Sequence, residues 1–189
     1  HEAGHALLGM LQPGADPVRK ISIIPRGRAL GVTLSTPDTD RYGYDAEYLK
    51  GRIIGALGGM AAEQEVFGVV TTGAESDLQQ VTGIARQMIG RWGMSETIGP
   101  VQVYPQDGDP RQSGASESLL QAVDAEVRTL VDECYAEARR LLRENRDKHD
   151  AIVAALMENE TLDEAQAYEV AGIDRPAERR HLAGAAPGS

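Results

Sequence analysis

Cysteine is almost absent. Cys134 is the only one in 189 residues, so no internal disulfide can form and a cysteine-only zinc site is excluded. The lone thiol reads as a small core residue. Lysine is scarce as well: Lys20, Lys50 and Lys148 are all there is, and none follows a glycine. That removes the phosphate-binding loop G-x-x-x-x-G-K-[ST], and with it ATP hydrolysis by that route. Positive charge is in deficit, with 19 Lys and Arg against 29 Asp and Glu, a formal net charge of −10. An acidic chain is poorly suited to bind phosphate backbones, so a nucleic-acid partner is not expected. Long apolar runs are missing too. Ile53 to Ala62 is the longest uncharged one, well short of the ~18 residues a membrane span needs. The chain by itself reads as soluble.

What is present is ordinary globular composition, 41% hydrophobic and 25% charged. At roughly 100–200 residues per domain this means one domain with a tail. His1 to Leu11 carries Ala3, Ala6, Leu7, Met10 and Leu11 at helical spacing, broken by Pro13, Gly14 and Pro17. No capping residue precedes His1, so the chain reads as a fragment of a longer protein. Lys20 to Pro25 and Leu30 to Ser35 read as two strands of a hairpin turning at Gly27. A helix is expected from Asp45 to Phe67. Gly51, Gly55, Gly58 and Gly59 inside it each cost up to about 1 kcal/mol of propensity, which suggests that another backbone packs very close. A further helix is expected from Ser76, its N-cap, to Trp92, with Leu78, Val81, Ala85, Met88, Ile89 and Trp92 inward. A long amphipathic helix follows a polar loop and runs to about Arg143, with Val123, Val127, Leu130, Cys134 and Ala138 on its apolar stripe. A shorter helix holds Ile152, Val153, Leu156 and Met157. Thr161 and Glu164 suggest a capping box for a last helix, and residues past Gly172 read as a disordered tail.

His1-Glu2-Ala3-Gly4-His5 is an H-E-x-x-H motif. On a helix, positions four apart share a face, so two imidazoles can bind one Zn²⁺ at about 2.0–2.1 Å. Glu2 lies beside them. There a carboxylate can take a proton from a water that the metal has acidified as it attacks a peptide carbonyl. A catalytic zinc needs a third protein ligand and an open position. Leu8 and Leu11 stand where the extended H-E-x-x-H-x-x-G-x-x-H form needs Gly and His, which excludes that form. His149 and His181 sit in a charged helical region and in the tail, and read as solvent-exposed. Three acids remain as candidates: Glu63 and Glu65, after the glycine-rich segment, and Asp77 in the first turn of the next helix, where an Asp also simply complements the helix dipole.

The motif His1-Glu2-Ala3-Gly4-His5-Ala6 resembles that of the FtsH family, membrane-bound ATP-dependent zinc metalloproteases. Ile23-Ile24-Pro25-Arg26-Gly27-Arg28-Ala29-Leu30-Gly31 resembles the family's strand-turn-strand signature. Leu57-Gly58-Gly59-Met60-Ala61-Ala62-Glu63 resembles its glycine-rich helix, with Met60 in place of the usual Arg and Gln64 in place of a second Glu. Thr72-Gly73-Ala74-Glu75-Ser76-Asp77 resembles the segment that gives its third ligand, and Arg91-Trp92-Gly93-Met94-Ser95-Glu96 with Gly99-Pro100 also matches. The resemblance covers residues 1–172 and departs most from Asp107 to Ser116.

The resemblance implies a mainly α-helical zinc-peptidase domain with a small β element, over residues 1–172. It implies His1, His5 and Asp77 as zinc ligands, Glu2 as general base and Glu63 as a group that orients a ligand. It also implies that Gly31, Val32 and Thr33 offer a backbone edge to an extended substrate chain. Transmembrane helices and an ATPase module would precede His1. ATP would be bound there and not by this chain. The parent would be a homo-hexamer at the cell membrane, facing the cytoplasm and degrading unfolded or membrane-extracted proteins. Two other readings stand beside this one. One is an unrelated soluble zinc peptidase with Glu63 or Glu65 as third ligand. The other is a non-catalytic oligomerisation scaffold, which intact His1, Glu2 and His5 argue against.

Overall fold

The computed structural model describes residues 1–27, 29–38 and 42–176. In chain order these form α1 (Glu2–Leu11), β1 (Val18–Ser22), β2 (Val32–Ser35), α2 (Ala46–Phe67), a 3-10 turn (Thr72–Ala74), α3 (Glu75–Gly90), α4 (Glu117–Glu144), α5 (Arg146–Asn159), β3 (Thr161–Asp163) and α6 (Glu164–Ala171). The class is mainly α with a small sheet, as the sequence indicates. Arg28, His181 and residues 177–189 of the tail expected from residue 173 lie outside the described residues. No described helix is long and apolar enough to cross a membrane.

The glycines of α2 explain how α1 and α2 meet. Asp45 caps α2 by accepting from the Tyr48 N–H at 2.8 Å, and Gly68 ends it at φ 71°. Along its length Gly51 faces Gln12, Gly55 faces Gly9, Gly58 faces Gly4, and Gly59 faces His1 and His5. The numbers run in opposite directions, so the two helices are antiparallel. At the crossing the backbones touch: a Cβ on Gly58 would lie 2.5 Å from the Gly4 carbonyl oxygen. At Gly58 and Gly59 the lost propensity is offset by an approach no side chain permits, whereas a Cβ at Gly55 would stand in ordinary contact, 3.8 Å from Gly9. Leu7, Leu8, Ile53 and Leu57 bury themselves around this contact.

The hairpin forms, and the sheet has one strand more than expected. β1 pairs antiparallel with β2 (Ile21 opposite Thr33, Ser22 opposite Val32) and also with β3 (Ile21 opposite Leu162), giving the order β2-β1-β3. Both hairpin strands are shorter than the sequence reading: β1 is shifted toward the N-terminus, and β2 starts two residues later with the expected end at Ser35. Ile23 still donates to the Glu160 carbonyl (2.9 Å), but beyond it the Ile24 N–H turns back to the Ser22 hydroxyl at 3.2 Å and Pro25 has no N–H to give. Thr161 belongs to β3, so the capping box of α6 sits two residues later, between Asp163 and Gln166.

Three other expectations are corrected. The 3-10 turn runs directly into α3, so Ala74 and not Ser76 holds the N-cap position, and Ser76 lies inside the helix. Leu78 and Trp92 are 40% and 45% exposed, while Val81, Ala85, Met88 and Ile89 are buried as expected. His149 is buried, at 3% exposure. It stands three and seven residues before Ile152 and Leu156, on the same α5 face, and continues their stripe inward. Among the described residues neither of its ring nitrogens has a hydrogen-bond partner, and it lies beside a cavity of about 160 Å³ lined also by Glu65, Arg143 and Arg146. Cys134 is buried on the α4 stripe as expected, and burial pushes its thiol up to about 11.

Candidate metal centre

The centre is built on the first turn of α1. His1 and His5 project from one face, with ring centroids 4.7 Å apart and planes at 79°. Their Nε2 atoms are 3.0 Å apart. Asp77, in the first turn of α3, brings Oδ2 to 3.4 Å from His1 Nε2 and 3.3 Å from His5 Nε2. Gly59 forms the floor. A Cβ there would lie 2.5 Å from His1 Nε2 and 2.6 Å from His5 Nε2, so only glycine leaves room for both rings.

The far side of each ring decides where the protons sit. His1 Nδ1 donates to Glu63 Oε1 at 2.7 Å, and His5 Nδ1 donates to the Gly55 carbonyl at 3.0 Å. A carboxylate and a carbonyl only accept, so each Nδ1 carries the hydrogen and each Nε2 of a neutral ring presents a lone pair. Two lone pairs and a carboxylate oxygen thus converge on one point, an arrangement that needs a cation. Tetrahedral ligands at about 2.0–2.1 Å from zinc stand about 3.3 Å from each other. The observed triangle has sides of 3.0, 3.3 and 3.4 Å, so the donor set fits this ion. Without a metal the same field attracts a proton. The hydrogen bond to Asp77, helped by Glu63 and opposed by burial, raises His1 to about 9. Burial would push Asp77 up, but hydrogen bonds from His1 and His5 outweigh it and hold the carboxyl well below the usual range.

Glu63 is buried near the end of α2 and reaches the outer nitrogen of His1, not the converging point. Burial works against its charge. The Thr71 backbone N–H (2.8 Å to Oε2), His1 and the Thr71 hydroxyl (3.1 Å to Oε1) overcome that and lower its pKa. Glu65 points away and pairs with Arg139 and Arg143, which removes it as a third-ligand candidate. Glu2 lies under the start of β2: its Oε2 accepts from the Thr33 hydroxyl at 2.8 Å, and Gly31 packs against its side chain. Val32 is on the opposite face of the strand and exposed.

Sequence reasoning assigned no role to Thr71, to Gly59 at the rings, or to the Gly55 carbonyl. Thr71 had a readable signal, a β-hydroxyl just before a helical turn, where it accepts from the Gly73 N–H at 3.2 Å. A backbone carbonyl leaves no signal in a sequence.

One H-E-x-x-H helix, a glutamate beside the two imidazoles and an acidic third corner define a single-zinc metallopeptidase domain. The family description Peptidase family M41 matches residues 1–170, and the chain belongs to that family. Among curated proteins it is 61% identical over 178 residues to the ATP-dependent zinc metalloprotease FtsH 3 of Conexibacter woesei, covering 92% of this chain and 24% of that protein. It is 55% identical to the ATP-dependent zinc metalloprotease FtsH of Thermobaculum terrenum, over 92% of this chain and 28% of that protein. The FtsH of Syntrophus aciditrophicus is 47% identical, with coverage of 92% and 25%. The chain therefore spans about a quarter of the length of these relatives.

Proposed function

We propose that this chain is the proteolytic part of a longer ATP-dependent protease and cuts peptide bonds in unfolded or membrane-extracted proteins. His1, His5 and Asp77 hold one Zn²⁺, and Glu63 fixes the orientation of His1. When bound, zinc acts as a Lewis acid that polarises the scissile carbonyl and acidifies a water. Glu2 takes the proton of the attacking water and returns it to the departing amine. Residues Gly31, Val32 and Thr33 offer the substrate a strand to lie along. The position of β2 at the edge of the sheet supports this. The relatives' names carry ATP dependence, and this chain has no phosphate-binding loop, so the motor belongs to another part of the longer protein. We place that protein at the cell membrane as a homo-hexamer, cutting on the cytoplasmic side.

The observation that carries this reading is the convergence of two imidazole lone pairs and the Asp77 carboxylate at one point, with Glu2 on the same helix turn. The test is metal analysis together with hydrolysis of an unfolded, casein-like chain in the absence of ATP. About one zinc per chain is expected, with cleavage that stops when a chelator removes it. Metal-free protein that still cuts would overturn the reading.

A further inference from the structure

A general base must hold its carboxylate within about 2.6–3.2 Å of the proton it takes. Glu2 is badly placed to do this unaided. It stands in the first turn of a helix whose N-terminus has no side-chain cap, on a side chain with three rotatable bonds. Its support comes from another element. β2 alternates faces, and Thr33, together with Gly31 just before the strand, is turned toward α1, while Val32 and Leu34 are exposed on the other side. The Thr33 hydroxyl lies 2.8 Å from Glu2 Oε2 and 3.1 Å from the Glu2 carbonyl oxygen. A hydroxyl has one hydrogen to give, and the shorter distance assigns it to the carboxylate, with the Glu2 carbonyl oxygen as the alternative acceptor. Among the described residues this hydroxyl is the one hydrogen-bond donor to that carboxylate. Gly31 closes the other side: a Cβ there would stand 2.7 Å from Glu2 Cγ and 2.8 Å from Oε1.

We propose that Thr33 is a positioning residue for Glu2, acting through its hydroxyl, and that Gly31 provides the space in which the carboxylate is held. The inference rests on the reading of Glu2 as base and of β2 as the strand that receives substrate. It goes further in giving one strand two duties, with its backbone edge for the substrate and its α1-facing side chains for the base. A substrate chain that pairs with β2 then docks on the element that sets the base, and a shift of the strand on docking moves both together. Misplacing a catalytic group by about 1 Å can cost on the order of 10²-fold in rate, so the support is functionally significant.

Thr33→Val keeps the shape and strand preference of the residue and removes only the hydroxyl, whereas Thr33→Ser keeps the hydroxyl. Zinc content, thermal midpoint, kcat and KM on an unfolded casein-like chain, and crystal structures of the zinc-loaded proteins would be compared. Thr33→Val should keep its zinc and its midpoint, hold KM within about twofold, and lose about 10–100-fold in kcat, with Thr33→Ser recovering most of it. The crystal structures should show one Glu2 rotamer in the wild type and Thr33→Ser, and several or a displaced one in Thr33→Val. A Thr33→Val enzyme with full kcat, or a rise in KM at unchanged kcat, would overturn the proposal. So would a Glu2 carboxylate in the same place without the hydroxyl. Wild-type protein that binds zinc and cuts nothing would count against the proposed function instead, and the Glu2 rotamers would still decide the role of Thr33.

Discussion

Glu2 and the two histidines share one helix turn, so their roles separate cleanly by substitution. Glu2→Gln leaves both imidazoles in place and removes only the ability to take a proton. We expect zinc retained and hydrolysis reduced on the order of 10²–10⁴-fold, measured as metal content and peptide turnover on the same preparation. Asp77 and Glu63 separate in the opposite sense. Asp77 Oδ2 is one of three atoms at the converging point, whereas Glu63 holds the outer nitrogen of His1. Asp77→Ala should leave the site largely empty. Glu63→Gln still offers an acceptor to His1 Nδ1 but without charge, so it should bind zinc when zinc is supplied, with affinity or activity reduced about 10–100-fold. Metal analysis of both variants at equal added zinc checks this, and a full site in Asp77→Ala would reverse the assignment. At this scale the sequence was legible where covalent spacing sets the geometry. His1, Glu2 and His5 need only a helix to meet. Asp77 is brought to them by the 3-10 turn and α3, and the residue pattern alone left it one of three acids. Its place at the start of a helix gave a modest physical case, and the resemblance tipped the choice. The Thr33 hydroxyl and Gly55 carbonyl come from elements whose relation to α1 is set by packing.

The α1–α2 pair shows what a glycine does when its helix face is covered and when it is not. A Cβ at Gly58 would press into the Gly4 backbone, and one at Gly59 into both imidazoles. Gly58→Ala should lower stability by about 1–3 kcal/mol, the usual cost of overpacking, and Gly59→Ala should prevent zinc from binding. Gly83, inside α3, has open space where a Cβ would stand, with nothing within 4 Å, and ordinary helical backbone. Gly83→Ala should therefore stabilise by about 0.4–1 kcal/mol. Thermal unfolding of the three variants, with zinc analysis for Gly59→Ala, tests the contrast. The sequence announced a close backbone contact in α2 because four glycines in one helix sacrifice too much propensity unless their missing side chains let another chain in. It did not announce β3. A three-residue strand is too short to show a period, and Thr161-Leu162-Asp163 becomes a strand only because β1 is there to pair with it.

For the molecule as a whole, His149 is an internal pH-sensitive point. Burial lowers its pKa, and Arg146 adds to that, while nearby Asp150 opposes it at 3.7 Å. The unfolded chain, near the ordinary value of 6.5, then binds a proton that the folded chain refuses. This histidine's contribution to stability is complete above that value and is lost as pH falls below it toward the lowered folded value. His149→Leu has no proton to gain, so it should lose less stability than wild type between about pH 7.5 and about pH 5.5. Urea midpoints for both proteins at the two pH values measure the difference. The effect was hidden in the sequence by the charged residues around it, which made an inward-facing position look like a solvated one.

The sheet order also sets a schedule. β1 is held by segments made late: Tyr168 receives the Val18 N–H at 3.1 Å, Glu160 receives that of Ile23 at 2.9 Å, and β3 pairs along the strand. β1 in turn carries β2, and β2 carries the hydroxyl on Glu2. A ribosome that has completed residue 150 has therefore made every side chain of the metal centre, yet the strand that steadies its glutamate still lacks its far partner. Contacts this distant along the chain close slowly. On that account a nascent chain can bring His1, His5 and Asp77 together before β2 is fixed against Glu2, and the steadying of that carboxylate waits for β3 and α6.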